Sequence, residues 1–294
     1  MGGEPFQPFT GFEDLRPYHL NAMAKLDELA VDLVRLYDDY RFGEIAQRLY
    51  EFLWNDFCDK FLEAVKLDLR DTAPPTAKAA SLSVFDAIMS RYLQLLSPYM
   101  PHVTEELSER MGYMPDAGFL MQKLLPALPL LDALSAPMIA NAQMIAAEIY
   151  ESAGRMRNLK AEYKVGSRKD VRFVIKSAPD WLEGEINVLA LLVGAAEISL
   201  DSDYDAPKGT PAAVTGIGEV YLPLDGLIDV EAERLRLAKE ISSIELEIKK
   251  CEGKLGTASF VDRAPRDVVR QEKARLDEWR IKLVQLGEML AALA

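Results

Sequence analysis

The sequence predicts a mainly α protein in three parts: a helical bundle over residues 1–165, a small α/β module over 166–226 and a long antiparallel helical hairpin, a coiled coil, over 227–294. Three observations carry that prediction. Apolar residues recur at helical spacing through the first half of the chain. The period changes to that of strands after Gly166. From Leu237 onward the apolar stripe narrows to alternating steps of four and three, the mark of a coiled-coil seam. With 294 residues, 49% of them hydrophobic, the chain is long enough to bury a sizeable core in about two domains plus an arm.

Residues 1–12 carry Pro, Gly and Phe without a period and read as an extended lead-in. The first helix begins near Tyr18 and places Leu26, Leu29, Leu33, Leu36, Tyr37 and Tyr40 on one face. A second follows Gly43, turns Ile45, Leu49, Phe52, Leu53, Phe57, Phe61 and Val65 inward, and stops before Thr72-Ala73-Pro74-Pro75. A third carries Leu82, Phe85, Ile88, Tyr92 and Leu95 and breaks at Ser97-Pro98-Tyr99-Met100-Pro101. Pro101 suits the first turn of a fourth helix, where a missing N–H costs little. A connection punctuated by Pro115, Pro126, Pro129 and Pro137 leads to a fifth, with Ile139, Ile145, Ile149, Met156 and Leu159. These stripes are wide, as a globular bundle requires.

Val171-Arg172-Phe173-Val174-Ile175 reads as a strand, Trp181 to Val193 as a short helix and Glu197-Ile198-Ser199-Leu200 as a second strand. Asp201 to Thr210 is a turn-rich loop, and Gly218 to Leu224 supplies at least one more strand. In the arm, Leu237, Ile241, Ile244, Ile248, Cys251 and Leu255 form one seam. Leu276, Trp279, Leu283, Leu286, Leu290 and Leu293 form the other, with a hinge at Gly253, Gly256, Thr257, Ala258, Ser259 and Phe260. Seams of matching length close on each other within one chain, which predicts a monomer.

No apolar run reaches the roughly 18 residues of a membrane span, and Met1-Gly2-Gly3-Glu4-Pro5 does not read as a signal peptide; a cytoplasmic location without membrane contact is the expectation. Cys58 and Cys251 fall at core-like helical positions, with no disulfide framework or CxxC pair. Gly216-Ile217-Gly218 precedes a strand rather than opening a helix, so it is no phosphate-binding turn. His19 and His102 lack an HxxH or HExxH partner, and Glu105-Glu106 points its carboxylates in different directions as a solvated first turn. No catalytic residue, metal site or cofactor site is expected in this chain.

The formal charge is −13, yet residues 228–294 hold 13 basic and 13 acidic side chains, so the excess negative charge lies earlier. One segment opposes it. Arg155, Arg157, Lys160, Lys164, Arg168, Lys169, Arg172 and Lys176 face only Glu162 and Asp170, a pattern that suits phosphate contacts; a solvated helix end is the plain alternative. Near the arm's tip, Lys249, Lys250, Lys254, Arg263, Arg266, Arg270 and Lys273 outnumber Glu252, Asp262, Asp267 and Glu272, although charges beside a coiled-coil seam also serve solubility. Arg41 and Phe42 at a helix junction are candidates for stacking on an unpaired base, set against a core reading of Phe42.

Arg48-Leu49-Tyr50-Glu51-Phe52-Leu53-Trp54-Asn55-Asp56-Phe57-Cys58-Asp59 and Leu96-Ser97-Pro98-Tyr99-Met100-Pro101-His102-Val103-Thr104-Glu105-Glu106-Leu107 resemble the anticodon-binding helical domain of the class I valyl-, isoleucyl- and leucyl-tRNA synthetases. Arg157-Asn158-Leu159-Lys160-Ala161-Glu162 resembles the family's motif ahead of its small α/β segment. Gly226 to Glu233, followed by Phe260-Val261-Asp262-Arg263-Ala264-Pro265-Arg266-Asp267-Val268-Val269, resembles the coiled-coil arm of the valyl branch. The resemblance implies a tRNA-binding portion of that synthetase, with the bundle at the anticodon end, the arm on the outer corner and valine-accepting tRNA as partner. The family's HIGH and KMSKS signatures are not among these residues, so the resemblance assigns ATP, valine and editing to sequence beyond them. A helical adaptor that uses the hairpin for protein contacts is the alternative.

Overall fold

A computed structural model describes residues 11–12, 14–114, 118–122, 130–207, 210–224, 230–256 and 266–292. It divides into two compact units, Met1–Ala153 with Gly184–Val193, and Gly154–Glu183 with Gly194–Ala294.

The first unit holds the helical bundle; it ends at Ala153 and takes in Gly184–Val193, a stretch the sequence reading gave to the α/β module. Helix α1 (Pro17–Asp38) starts on Pro17, and the imidazole of His19 turns back so that Nδ1 accepts the Arg16 N–H at 3.0 Å, the role a capping-box side chain fills. That bond leaves the proton on Nε2, which donates to Ser81 Oγ at 2.8 Å. Ser81 donates onward to Asp68 Oδ2 at 2.7 Å, and Tyr18 OH reaches the same oxygen at 2.7 Å. His19 and Ser81 are buried, so this relay satisfies polar groups that would otherwise be costly to bury. At the other end the N–H of Arg41 returns to Leu36 O at 2.9 Å and that of Tyr40 to Tyr37 O at 3.0 Å. This is a Schellman closure, with Tyr40 rather than glycine at φ 56°.

Helix α2 (Phe42–Glu51) runs without a break into a π-wound stretch, Phe52–Leu62, and a last turn at Glu63–Val65. Its buried residues explain the change of winding. Ile45, Leu49 and Phe52 follow steps of four and three, but Phe52, Phe57 and Phe61 follow steps of five and four, wider than an α-helical face repeats. Helix α3 (Pro75–Leu96) opens on Pro75 and buries Ser81, Val84, Ile88 and Tyr92, whose hydroxyl donates to Leu49 O at 3.0 Å. The inward face is thus turned from the predicted one, leaving Leu82 and Phe85 partly buried. Helix α4 (Pro101–Arg110) starts on Pro101 as predicted. Glu105 is not simply solvated: its carboxylate accepts the N–H groups of Leu120 and Met121 at 2.7 and 3.0 Å and caps a single 3₁₀ turn. Likewise Asp27 accepts the N–H groups of Leu130 and Leu131. Among the described residues the core of this unit includes a cluster with Met23, Leu26, Ile45, Phe61, Val84 and Ile88, and a smaller one with Leu93, Tyr113 and Leu120. Cys58 lies only partly buried, against the prediction of a core position.

Helix α5 (Ala136–Glu162) passes from the first unit into the second, and α6 (Leu182–Val193) passes back. Within the first unit, Arg16 Nε meets Glu185 at 3.1 Å and its Nη2 donates to Gly184 O.

The second unit holds a four-stranded sheet in the order β2-β1-β4-β3. Strands β1 (Arg172–Lys176) and β2 (Glu197–Leu200) pair in parallel, with Phe173 opposite Ile198. Strand β4 (Gly218–Tyr221) lies antiparallel between β1 and β3 (Ala212–Thr215). Sequence does not announce the β3 strand, since two of its four residues are alanines, which are depleted in strands, and Val214 and Thr215 alone are too short a run to show a period. Gly216-Ile217 is the two-residue loop of the β3–β4 hairpin. Gly218 has φ 116°, and a Cβ there would stand 2.3 Å from Lys176 O, so only glycine fits beside β1.

The arm is the predicted hairpin. Helix α7 (Val230–Leu255) buries Leu237, Ile244, Ile248 and Cys251, and α8 (Arg266–Ala292) buries Leu276 and Leu286. Cross-helix pairs Lys254–Glu272 (2.9 Å), Arg280–Glu252 (2.8 Å) and Lys282–Glu240 (3.2 Å) run in opposite sequence directions, as antiparallel helices require. Gly253 sits inside α7 rather than in the hinge, and Gly256 is the last described residue before it; the remainder of the predicted hinge and Leu293 lie outside the described residues.

Candidate nucleic-acid interface

The end of α5 decides how the basic segment is displayed. Val165 N–H returns to Lys160 O at 2.9 Å and Lys164 N–H to Ala161 O at 3.0 Å, another Schellman closure. Lys164 therefore sits at φ 58° with its side chain exposed. Val165, packed away at 1% exposure, anchors the turn.

Lys160 parts company with its neighbours. It is 2% exposed, and its ammonium donates to Arg168 O at 3.0 Å and Gly194 O at 2.8 Å. Burial pushes its pKa down. The residue predicted as a phosphate contact is instead a tie between the α5 turn and the loop ahead of β2. Helical spacing makes it equivalent to Arg157 and Lys164; only the fold distinguishes them.

Arg155, Arg157, Lys164 and Lys169 remain exposed, with Arg168 partly so. Arg155 also donates to Val214 O on the edge strand β3 at 3.2 Å. Arg168 grips Asp170 through Nε at 2.9 Å and Nη2 at 2.5 Å; that hydrogen bond holds the Asp170 carboxyl down at about 2. On the arm, Lys250 pairs with Glu247, Lys254 with Glu272 and Arg270 with Asp267. Lys249 and Lys273 are exposed and carry no ion pair among the described residues. Arg266 is the first residue of α8, and Arg263 lies outside the described residues.

Phe42 is 49% exposed, with its ring edge-on to Tyr37 at 6.1 Å and Tyr40 at 6.2 Å, so the core reading fails for it. Arg41 is paired with Glu44 at 2.6 Å. Tyr40, predicted on the inner face of α1, is 79% exposed, because α1 ends at Asp38, two residues earlier, and the chain reverses at Tyr40. The structure adds Tyr50 and Trp54 to the sequence candidates; they are 63% and 54% exposed. Their spacing of four, out of step with the buried Leu49 and Phe52, is the signal that points to them.

The charge divides with the fold. The first unit holds 12 basic and 24 acidic side chains, the second 22 and 23. Among the described residues, no helix is long and apolar enough to cross a membrane.

Comparison with known proteins bears on both units. Residues 20–175 match the family described as the anticodon-binding domain of tRNA ligase, and residues 229–294 match the valyl tRNA synthetase tRNA binding arm. A valine–tRNA ligase of Xanthomonas campestris is 36% identical over 279 residues, which cover 92% of this chain and 29% of that protein. The valine–tRNA ligases of Prochlorococcus marinus and Enterococcus faecalis are 31% and 29% identical, each with 92% of this chain and 30% of the relative covered. The chain thus spans less than a third of these curated relatives. Since the first match takes in more than half of its residues, the chain belongs to the anticodon-binding domain family of tRNA ligases.

Proposed function

We propose that this chain is the tRNA-binding portion of a valine–tRNA ligase, supporting ATP-dependent valylation carried out by residues outside it. The observation that carries the reading is the order of the two matches, an anticodon-binding domain followed by a tRNA-binding arm, with the outward-facing cations Arg155, Arg157, Lys164 and Lys169 near the end of the first. Cations there would neutralise phosphates and release counterions, a driving force that grows as salt falls. The bundle would supply contacts that depend less on charge, because its own side chains are twice as often acidic as basic. Valine-accepting tRNA is the partner, the cytoplasm the location, and no cofactor is assigned to this chain.

Titration of labelled valine tRNA into the chain at several salt concentrations tests this. Binding whose log affinity falls linearly with log salt supports it; absence of binding at low salt overturns it.

A further inference from the structure

The seam of the arm contains a charge. On α8 the stripe Leu276, Trp279, Leu283 and Leu286 advances by steps of three and four, so its next position toward the hairpin turn, four residues before Leu276, is Glu272. Its side chain is only 15% exposed, as a seam position requires. One carboxylate oxygen, Oε1, accepts from Lys254 of α7 at 2.9 Å. The other, Oε2, is buried without a hydrogen-bond partner among the described residues, near the weak S–H donor of Cys251. Apolar side chains in place of such an inward ion pair often leave a protein as stable or more so, so stability does not account for Glu272. What a polar residue in a coiled-coil seam does is fix the register.

The arm has a second register to be kept out of. The pairs Glu240–Lys282 and Glu252–Arg280 flank the seam, which sets Leu276 opposite Cys251 and Glu272 opposite Leu255. Sliding α8 by one heptad toward the start of α7, about 10 Å at about 1.5 Å per residue, repeats the central layers: Leu276 meets Ile244, and Leu283 meets Leu237. The rims are satisfied as well. Glu240 passes from Lys282 to Arg275, Glu252 from Arg280 to Lys273, and Arg280 finds Glu245. Glu272 is the loser, because it enters the layer of Ile248, whose neighbour is Glu247 where Leu255 has Lys254. We propose that the arm has two registers one heptad apart and that Glu272, with Lys254 beside it, holds the described one. The choice decides what the arm displays, since Lys249 and Lys250 on α7 move by about 10 Å relative to Arg270 and Lys273 on α8 between the two. The proposal stands whether or not the arm meets tRNA.

A water-soluble carbodiimide joins a glutamate to a lysine only where the two meet, and each register has its own pair: Glu240–Lys282 in the described one, Glu252–Lys273 in the other. Digestion and mass spectrometry of the cross-linked chain read the ratio of the two, with isotope-labelled chain mixed in to mark links between molecules. The unaltered chain is expected to give Glu240–Lys282. Glu272→Leu should raise the Glu252–Lys273 link by about tenfold or more relative to Glu240–Lys282, with a urea midpoint no lower than that of the unaltered chain. The charge swap Glu247→Lys with Lys254→Glu keeps the seam intact, offers Glu272 its cation in the other register and should move the ratio the same way. A ratio unchanged in either variant, a Glu252–Lys273 link already strong in the unaltered chain, or links formed only between molecules would overturn the proposal.

Discussion

The two units treat polar and charged groups in opposite ways. The first unit carries a twofold excess of acidic side chains and draws several polar groups inward, as in the chain from Arg16 N–H through His19 and Ser81 to Asp68. The second is close to charge balance and turns Arg155, Arg157, Lys164 and Lys169 outward, while Lys160 is buried in an internal tie. The difference teaches that the chain's net charge of −13 says little about how it meets a polyanion, because attraction is local. Phosphate contact is expected of the second unit and contact with apolar or planar surfaces of the first.

The largest expected effect lies in the residue that breaks the second unit's pattern. Lys160→Met removes two part-buried, charge-assisted hydrogen bonds, to the carbonyls of Arg168 and Gly194, which should cost about 2–3 kcal/mol in a urea titration while leaving the salt slope of tRNA binding unchanged. A changed slope with unaltered stability would return Lys160 to the exposed cations. Next comes the triple change Arg155, Arg157 and Lys164→Gln. It should weaken tRNA binding by about tenfold or more at low salt and reduce the log–log slope by up to about 0.9 for each phosphate that is no longer neutralised. Unaltered binding would make these residues a solvated helix end and erase the contrast between the units.

The first unit's buried relay makes a third test. Desolvation, then the nearby Arg16 charge, lowers the His19 pKa to about 3. The folded value lies below that of the unfolded chain, near 6.5, so the unfolded state binds the extra proton between the two. Stability is therefore full above about pH 6.5 and falls as the pH drops toward 3, by about 1 kcal/mol between pH 6.5 and 5.5. Urea midpoints across that range should show this loss, and His19→Gln, which keeps a capping-box side chain without titrating, should remove it. An equal pH dependence in the variant would place the acid sensitivity elsewhere.

Periodicity made the helices and both arm seams legible, because burial selects residues once per turn and α7 packs along α8. It could not reveal the π winding after Glu51, which lies in hydrogen bonds, although the step of five from Phe52 to Phe57 is its trace. Nor could it separate Lys160 from Lys164. Both are cations near a helix end, and what divides them is the carbonyl of Gly194, more than thirty residues away in sequence. The exposure of Tyr40 was hidden for a related reason: the residue fits the α1 stripe by spacing, and the position of the helix stop turns it outward.

The smallest effect asks whether display of a cation is traded against stability. Lys164 occupies the left-handed position that closes α5, where a side chain is disfavoured and glycine is not. Lys164→Gly should therefore stabilise the chain by about 0.5–1 kcal/mol, less the share that glycine's greater freedom returns to the unfolded state. The same change removes one exposed cation and should lower the salt slope by about 0.9 or less. Lys164→Asn separates the two effects, since asparagine tolerates the left-handed conformation better than lysine while also lacking the charge. If Gly and Asn both stabilise and both flatten the slope, lysine is kept at that turn for its charge. If both stabilise and neither touches the slope, Lys164 leaves the interface, and the second unit's contact with phosphate rests on Arg155, Arg157 and Lys169 alone.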